Sequence, residues 1–411
     1  MKINKHCFPN GLRLVHYEDT STQMVALNIV YDVGARDEHP EHTGFAHLFE
    51  HLMFGGSAHI PDYDTPLQLA GGENNAWTNN DITNYYLTVP KPNVETAFWL
   101  ESDRMLELAF SEQSLEVQRG VVMEEFKQRC LNQPYGDVGH LFRPLAFRVH
   151  PYRWPTIGKE LSHIEQATLD EVKSFFYRFY APNNAVLAVT GNISWDETVK
   201  FTEKWFAPIP RRDVPVRQLP QEPEQTQERR LTVERNVPLD ALFMGYHMCS
   251  REGADYYAFD ILSDILSNGR SSRLNRRLVQ EQNIFSGIDA YISGTRDAGL
   301  LQISGKPAAG VSLEQAEAAV RKELEELQRS PVDGQELEKV KNKFESTQIF
   351  GNINYLNVAT NLAWFELTGK AEDIDLEVER YRSVTTEQLH TVAQRTFCES
   401  NAVVLYYKSD K

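Results

Sequence analysis

Residues 47–51 are His47-Leu48-Phe49-Glu50-His51, and three of these five side chains suit metal chemistry. In a helix, which turns about 100° per residue, His51 lies about 40° round from His47 and Glu50 about 60° the other way. Two imidazoles one turn apart match the nitrogen ligands that Zn²⁺ accepts in tetrahedral sites. Glu50 is placed to take a proton from water activated by the metal. The spacing therefore predicts a catalytic zinc site with Glu50 as general base.

This geometry requires the motif to be helical. Thr43 and Gly44 precede a run rich in apolar residues, and Gly55-Gly56 follows it. Polar and glycine residues at these positions are typical start and stop signals of a helix. We therefore predict one helix over residues 45–54.

A catalytic zinc normally takes three protein ligands, so one more side chain is required. The stretch 115–131 is predicted to be a later helix, and it contains Glu124 and Glu125 among apolar residues. A carboxylate in such surroundings is unusual unless it is paired or bound to metal. Glu125 continues a stripe through Gln118 and Val122, whereas Glu124 belongs to a neighbouring stripe. Periodicity alone leaves both residues open as the third ligand.

Length and composition restrict the class of protein. A chain of 411 residues favours two domains, and 41% hydrophobic with 24% charged residues is typical of soluble globular proteins. A net charge of −16 argues against binding of nucleic acid or anionic membranes. Four cysteines without paired spacing favour reduced thiols. We expect no membrane span and, because no apolar segment follows Met1, no signal peptide. A cytoplasmic location is expected, or a periplasmic one if a leader was removed.

The chain contains an internal repeat. Residues 207–229 include five prolines and many Gln and Glu residues, which predicts an extended linker. The flanking segments resemble each other in the same order, at an offset of about 215 residues. The matched segments are 25–31 with 240–246, 45–57 with 259–271, and 184–186 with 401–403. We therefore predict an N-terminal catalytic domain, 1–206, and a homologous C-terminal domain, 230–411.

Each repeat combines strand-like apolar segments with long helical stretches, which favours an α+β fold. We expect each of the two duplicated domains to be a mainly antiparallel sheet packed with helices. The second repeat has Ile261, Asp264 and Ile265 at the positions of the first motif. It keeps the helix and lacks the metal ligands, so the chemistry is assigned to the first repeat.

The motifs, taken together, resemble those of the pitrilysin family, which includes insulin-degrading enzyme and mitochondrial processing peptidase. H-x-x-E-H followed by a distal Glu is the inverted zinc motif, and bacterial members of about 400 residues show the strongest resemblance. The resemblance covers the whole chain. The segments that carry it are 34–38, 42–54, 71–78, 119–125 and 150–152.

This resemblance implies a zinc endopeptidase. His47, His51 and Glu125 would bind one Zn²⁺, because the family's ligand is the second Glu of the Val-Val-x-Glu-Glu pattern. Glu50 would be the general base. The family holds the peptide backbone against an edge strand, here near Asn75 and Ala76. Closure around the site would admit short or unfolded peptides.

Two departures from the family pattern affect the expected site. Gln118 stands where many members have a further Glu assisting the site, which removes one negative charge. Val279 and Ser286 stand where single-chain members have an Arg and a Tyr that bind substrate. We therefore expect a dimer, either with a second copy or with a homologous subunit that supplies this pair.

Two other functions remain alternatives. One is a non-catalytic structural or assembly subunit on the same fold, which the intact His47, Glu50, His51 and Glu125 argue against. The other is a metal hydrolase with a non-peptide substrate, which the edge strand for backbone binding disfavours.

Overall fold

The first half of the chain forms six strands and eight helices in the computed structural model, which describes residues 1–410. The strands are β1 (Asn4–Cys7), β2 (Arg13–Glu18), β3 (Met24–Tyr31), β4 (Glu73–Thr78), β5 (Thr83–Pro90) and β6 (Ala185–Gly191). The helices are α1 (Phe45–Leu52), α2 (Asp64–Leu69), α3 (Val94–Leu106), α4 (Glu112–Phe126), α5 (Val138–Ala146), α6 (Leu161–Glu165), α7 (Leu169–Phe179) and α8 (Trp195–Trp205). A π-helical turn, Lys127–Leu131, continues α4.

The second half follows a similar order of elements. Its strands are β7 (Arg229–Arg235), β8 (Ala241–Met248), β9 (Phe285–Ile292), β10 (Gly299–Pro307) and β11 (Ala402–Ser409). Its helices are α9 (Tyr256–Ser267), α10 (Leu313–Arg329), α11 (Gly334–Gly351), α12 (Tyr355–Thr368), α13 (Glu377–Ser383) and α14 (Thr386–Thr396). No helix within residues 1–410 is both long and apolar enough to cross a bilayer.

The sheet topology shows the duplication directly. The first sheet has the order β1-β2-β6-β3-β5-β4, and the second has the order β7-β11-β8-β10-β9. Without β1, the two orders match strand for strand. Each sheet contains one parallel pair, β2 with β6 or β7 with β11, and its other pairs are antiparallel. The predicted α+β fold with two duplicated, mainly antiparallel sheets is confirmed.

The compact units differ from the continuous ranges 1–206 and 230–411 expected from the sequence. The first unit contains residues 1–131, 154–220 and 349–376, and the second contains 132–153, 221–348 and those from 377 onward. Each half thus contributes one helix to the other unit, α12 to the first and α5 to the second. The helices are equivalent in the two repeats, so the exchange is reciprocal.

The exchanged helices complete the cores of the units that they join. Strand β3 is buried on both faces, with Val25, Leu27 and Ile29 in one cluster and Ala26 and Val30 in another. The first cluster includes α1, and the second includes α12. In the second unit α5 packs in the same way on β7, β8 and β11. A sequence pattern identifies the apolar face of such a helix, but not the sheet that it covers.

This exchange predicts that residues 1–220 do not fold stably alone. Without α12, one face of the first sheet exposes apolar side chains to water, at a cost of about 25 cal/mol for each Å². The exposed residues would be Val15, Ala26, Val30, Val186 and Ala188. We expect a low urea midpoint by circular dichroism, raised by adding a peptide of residues 349–376.

The matched control is the same peptide with Leu362→Asp, which places a charge in the buried face of α12. This peptide should not raise the midpoint. A fragment as stable as the full chain without any peptide would contradict the prediction.

Candidate metal centre

The residue before α1 is Gly44, which has no side chain to cap the helix, so the first N–H groups need an acceptor from elsewhere. Gly44 has φ of 88°, and a Cβ there would lie 2.7 Å from Ile164 Cδ1. The Glu38 carboxylate accepts hydrogen bonds from the Gly44 and Ala46 N–H groups, both at 2.9 Å. Burial raises the pKa of Glu38 to about 8, while these two hydrogen bonds act to lower it. The start of α1 is therefore fixed by a side chain outside the helix.

One side of α1 packs into the core through the aromatic ring of Phe49. Phe49 stacks on Phe175 and Tyr180, with ring centroids 5.2 and 4.9 Å apart. The Tyr85 hydroxyl of β5 donates to the Phe49 carbonyl at 3.1 Å. With this side in the core, the imidazoles and Glu50 project from the neighbouring face of the helix.

Helix α4 supplies the third candidate ligand. Its first turn is capped by the Ser111 hydroxyl, which accepts from the Ser114 N–H at 3.0 Å. Leu115 and Val122 are buried in the cluster that includes α1, Phe126 is buried as well, and these three side chains set the rotation of the helix. This rotation places Glu125, the residue before Phe126, at the edge of the buried face of α4.

The three predicted ligands lie together. Glu125 Oε2 is 3.5 Å from His47 Nε2 and 3.3 Å from His51 Nε2. Among residues 1–410, this is the only group of three His, Cys, Asp or Glu side chains whose ligand atoms all lie within 4.8 Å. Glu124 instead pairs with Lys127 at 2.5 Å and is largely exposed. Of the two residues left open by periodicity, the structure brings Glu125 to the imidazoles.

This donor set fits a divalent metal. Two nitrogen atoms and one carboxylate oxygen form a ligand set found in catalytic zinc sites, which keep a fourth position open. Burial lowers the pKa of His47 to about 4, so its ring is neutral near pH 7 and offers a lone pair. A hydrogen bond from His51, opposed by burial, lowers the pKa of Glu125, so this carboxyl is anionic. His47 and Glu125 are thus in the protonation states that a metal requires.

Glu50 lies beside this group and is not one of the three ligands. Burial raises the pKa of its carboxyl, while Thr78 at the end of β4 and the nearby His51 act in the opposite direction. A carboxylate with a raised pKa is a better proton acceptor than an ordinary one. Thr78 was not predicted from the sequence, because a Thr that ends a strand is usually structural.

The predicted substrate-binding residues lie on an edge strand. Strand β4 is the outermost strand of its sheet beside β5, and it packs against α1. Asn75 and Ala76 occupy its middle, and the Ala76 N–H donates to Asn75 Oδ1 at 2.8 Å. The amide nitrogen of Gln118, which was expected to assist the site and not to be a ligand, lies near Gly55, 3.8 Å from where a Cβ there would be.

A further charged residue contacts the candidate centre. Arg129, in the π-helical turn, pairs through Nη2 with Glu125 Oε1 at 2.8 Å. An Arg four residues after a Glu is common on solvated helix faces, so the sequence offered no distinct signal.

Comparison with known proteins identifies the family. A model described as "Insulinase (Peptidase family M16)" matches residues 13–137, and one described as "Peptidase M16 inactive domain" matches residues 166–344. The chain belongs to peptidase family M16. The inactive-domain match includes Ile261 and Ile265 of the M16 chain, the positions that lack histidines.

Relatives of this M16 chain in bacteria are named as zinc proteases. It is 26% identical over 405 residues to zinc protease PqqE of Helicobacter pylori, covering 97% of this chain and 91% of the relative. It is 25% identical over 406 residues to an uncharacterized zinc protease, YmxG, of Bacillus subtilis, covering 98% of each.

Solved structures show the same fold. A protease from Helicobacter pylori superposes with a TM-score of 0.94 at 26% identity, covering 99% of both chains. Pitrilysin superposes with a TM-score of 0.78 at 17% identity, covering 99% of this M16 chain and 45% of pitrilysin. The predicted family is therefore confirmed.

The buried His47 predicts how stability of the metal-free protein depends on pH. Its pKa is about 4 when folded and near its ordinary 6.5 when unfolded. The unfolded state therefore binds more protons between these values, and stability falls as the pH decreases from 6.5 to 4. This one group contributes about 2–3 kcal/mol of that loss.

Urea unfolding of wild type and His47→Gln across this pH range measures the effect. Glutamine does not titrate, so the variant should lose less stability on acidification than the wild type. Parallel curves for the two proteins would show that His47 is not the group responsible.

Proposed function

We propose that this chain is a zinc metalloendopeptidase that cleaves peptides or unfolded polypeptides. The observation that carries the proposal is the meeting of His47, His51 and Glu125 beside Glu50, next to a sheet edge. These three side chains would hold one Zn²⁺. A zinc ion there supplies Lewis acidity, which makes water more acidic and a peptide carbonyl more electrophilic.

Glu50 moves the proton in this reaction. Its carboxylate accepts a proton from the attacking water as the new C–O bond forms at the scissile carbonyl. It then gives that proton to the amide nitrogen as the C–N bond breaks, so the amine leaves neutral. Burial of Glu50 favours both steps, because a raised pKa brings the acid and base forms closer in energy.

The edge of β4 is the proposed binding surface for the substrate backbone. An edge strand presents N–H and C=O groups that can pair with an added strand. The Ala76 N–H, which takes the Asn75 side chain as acceptor, is one such donor. A peptide carbonyl would replace the Asn75 amide there. Recognition of main chain suits a peptidase that accepts many sequences.

A second subunit is proposed to complete the substrate site. The resemblance places Arg and Tyr of single-chain enzymes at Val279 and Ser286, and neither residue here can replace them. Val279 packs against the core of the second unit, and the Ser286 hydroxyl donates to the Lys306 carbonyl at 3.0 Å. This chain also matches less than half the length of pitrilysin. Either another copy or a homologous subunit would supply the pair.

The alternative is a non-catalytic structural or assembly subunit. The match to a model named for an inactive domain favours it. That match, however, lies outside residues 47–125, which contain all four residues of the proposed zinc chemistry. The peptidase proposal therefore accounts for more of the site.

Glu50→Gln should separate catalysis from metal binding. The variant loses its proton acceptor, so we expect kcat on a quenched peptide library to fall by about 10²–10⁴-fold. Zinc content should be unchanged, because Glu50 is not a ligand. Glu124→Gln, which removes an exposed carboxylate from α4, is the matched control and should keep activity.

Peptide cleavage that survives both a chelator and Glu50→Gln would contradict the peptidase proposal. Native mass spectrometry gives the oligomeric state of the same sample. A chain inactive alone and active after addition of a homologous subunit would support completion by a second subunit.

Ala76→Pro should test the sheet edge. Proline lacks the N–H and is tolerated on edge strands, so the fold should be retained. Loss of one backbone hydrogen bond to the substrate should lower kcat/KM about five- to tenfold. Asn75→Ala frees the Ala76 N–H and should leave kcat/KM unchanged or higher. An unchanged kcat/KM in a folded Ala76→Pro protein would exclude this edge as the binding surface.

A further inference from the structure

The two oxygens of Glu125 have different partners. Oε2 faces both imidazoles, at 3.5 Å from His47 Nε2 and 3.3 Å from His51 Nε2. Oε1 pairs with Arg129 Nη2 at 2.8 Å. One oxygen of this carboxylate therefore lies beside the two imidazoles, and the other is paired with a guanidinium.

The backbone that carries Arg129 is anchored independently of its side chain. Phe126 and Cys130 are buried on either side of it, and they hold the π-helical turn against the core. The Arg129 side chain is 66% exposed, whereas that of Glu125 is 19% exposed. Substitutions at Arg129 should therefore leave the fold intact. Single π turns inside helices occur frequently at functional sites.

We propose that Arg129 is a positioning residue that holds Glu125 with Oε2 directed at the metal site. This proposal rests on the proposed zinc function. The terminal torsion of a Glu side chain has broad minima, so its carboxylate rotates easily when nothing holds it. A charge-assisted hydrogen bond to one oxygen restricts that rotation and selects a single oxygen as metal ligand.

The positive charge of Arg129 has the opposite effect on metal binding from the hydrogen bond that orients Glu125. A guanidinium near a divalent cation repels it, so removing the charge alone would strengthen metal binding. Removing a partner that orients a ligand typically weakens metal binding by about 10–100-fold. Whether zinc binding becomes weaker or tighter when Arg129 is replaced therefore shows which of the two effects is larger. Because Arg129 is largely exposed, solvent screens its charge, and we expect orientation to dominate.

The experiment measures zinc affinity of the full-length protein by competition with a chromophoric chelator. Arg129→Met keeps most of the apolar stem and removes the donors, so zinc binding should weaken about tenfold. Arg129→Lys keeps the charge without the planar fork, and should restore affinity only in part. Absorption of the Co²⁺-loaded protein reports ligand geometry, and its bands should change in Arg129→Met.

Lys127→Met is the matched control. It removes one positive charge from the same turn, but Lys127 pairs with Glu124, which is outside the ligand group. Its zinc affinity and Co²⁺ spectrum should equal those of the wild type. An equal loss of affinity in both variants would attribute the effect to a general disturbance of the π-helical turn and overturn the positioning role.

Zinc binding to Arg129→Met that is unchanged or tighter would also overturn the proposal. Glu125→Ala separates this outcome from failure of the proposed function. If Glu125→Ala loses zinc while Arg129→Met does not, only the positioning role fails. If Glu125→Ala binds zinc as tightly as the wild type, the zinc site itself is wrong.

Discussion

The hydrogen bonds from Gly44 and Ala46 to Glu38 set the position of the helix on which the candidate site depends. Helix α1 has only eight residues, so its own cooperativity contributes little to its stability. Glycine is required at residue 44 by its positive φ and by the close approach of α6, and it has no side chain to cap the helix. The buried Glu38 carboxylate supplies the missing acceptors. A shift at this end would move both imidazoles relative to α4.

The second repeat shows that the same helix forms without the candidate metal ligands. Helix α9 occupies the place of α1 in the second repeat, with buried Ile261 and Ile265 where the first has histidines. Asp264, at the position of Glu50, accepts from Asn268 at 2.8 Å and lies near Lys343 of α11. In the second repeat, apolar side chains and an acidic side chain with polar and charged partners thus stabilise the equivalent helix without metal ligands. The histidines of the first repeat are therefore not needed for folding of this element.

The sequence was sufficient for features fixed by short spacing. His47, Glu50 and His51 share one helix, so the period of that helix determines their arrangement. Glu125 could not be separated from Glu124 in this way, because its position depends on how α4 packs in the core. The pairing of Arg129 with Glu125 depends in addition on a π-helical turn, which no propensity predicts. The exchange of α5 and α12 could not be predicted from the sequence either, because the two sheets have equivalent apolar faces that either helix could cover.

Helix α1 also fixes the distance between the candidate metal site and the sheet edge. One of its sides packs in the core through Phe49, where Tyr85 of β5 bonds to its backbone. Its neighbouring side brings Glu50 to Thr78, the last residue of β4. Because β4 is paired with β5 over six residues, the backbone N–H and C=O groups at its free edge are held at fixed positions relative to Glu50. On the proposed function, the bond that is cleaved would then depend on where a peptide pairs with this edge.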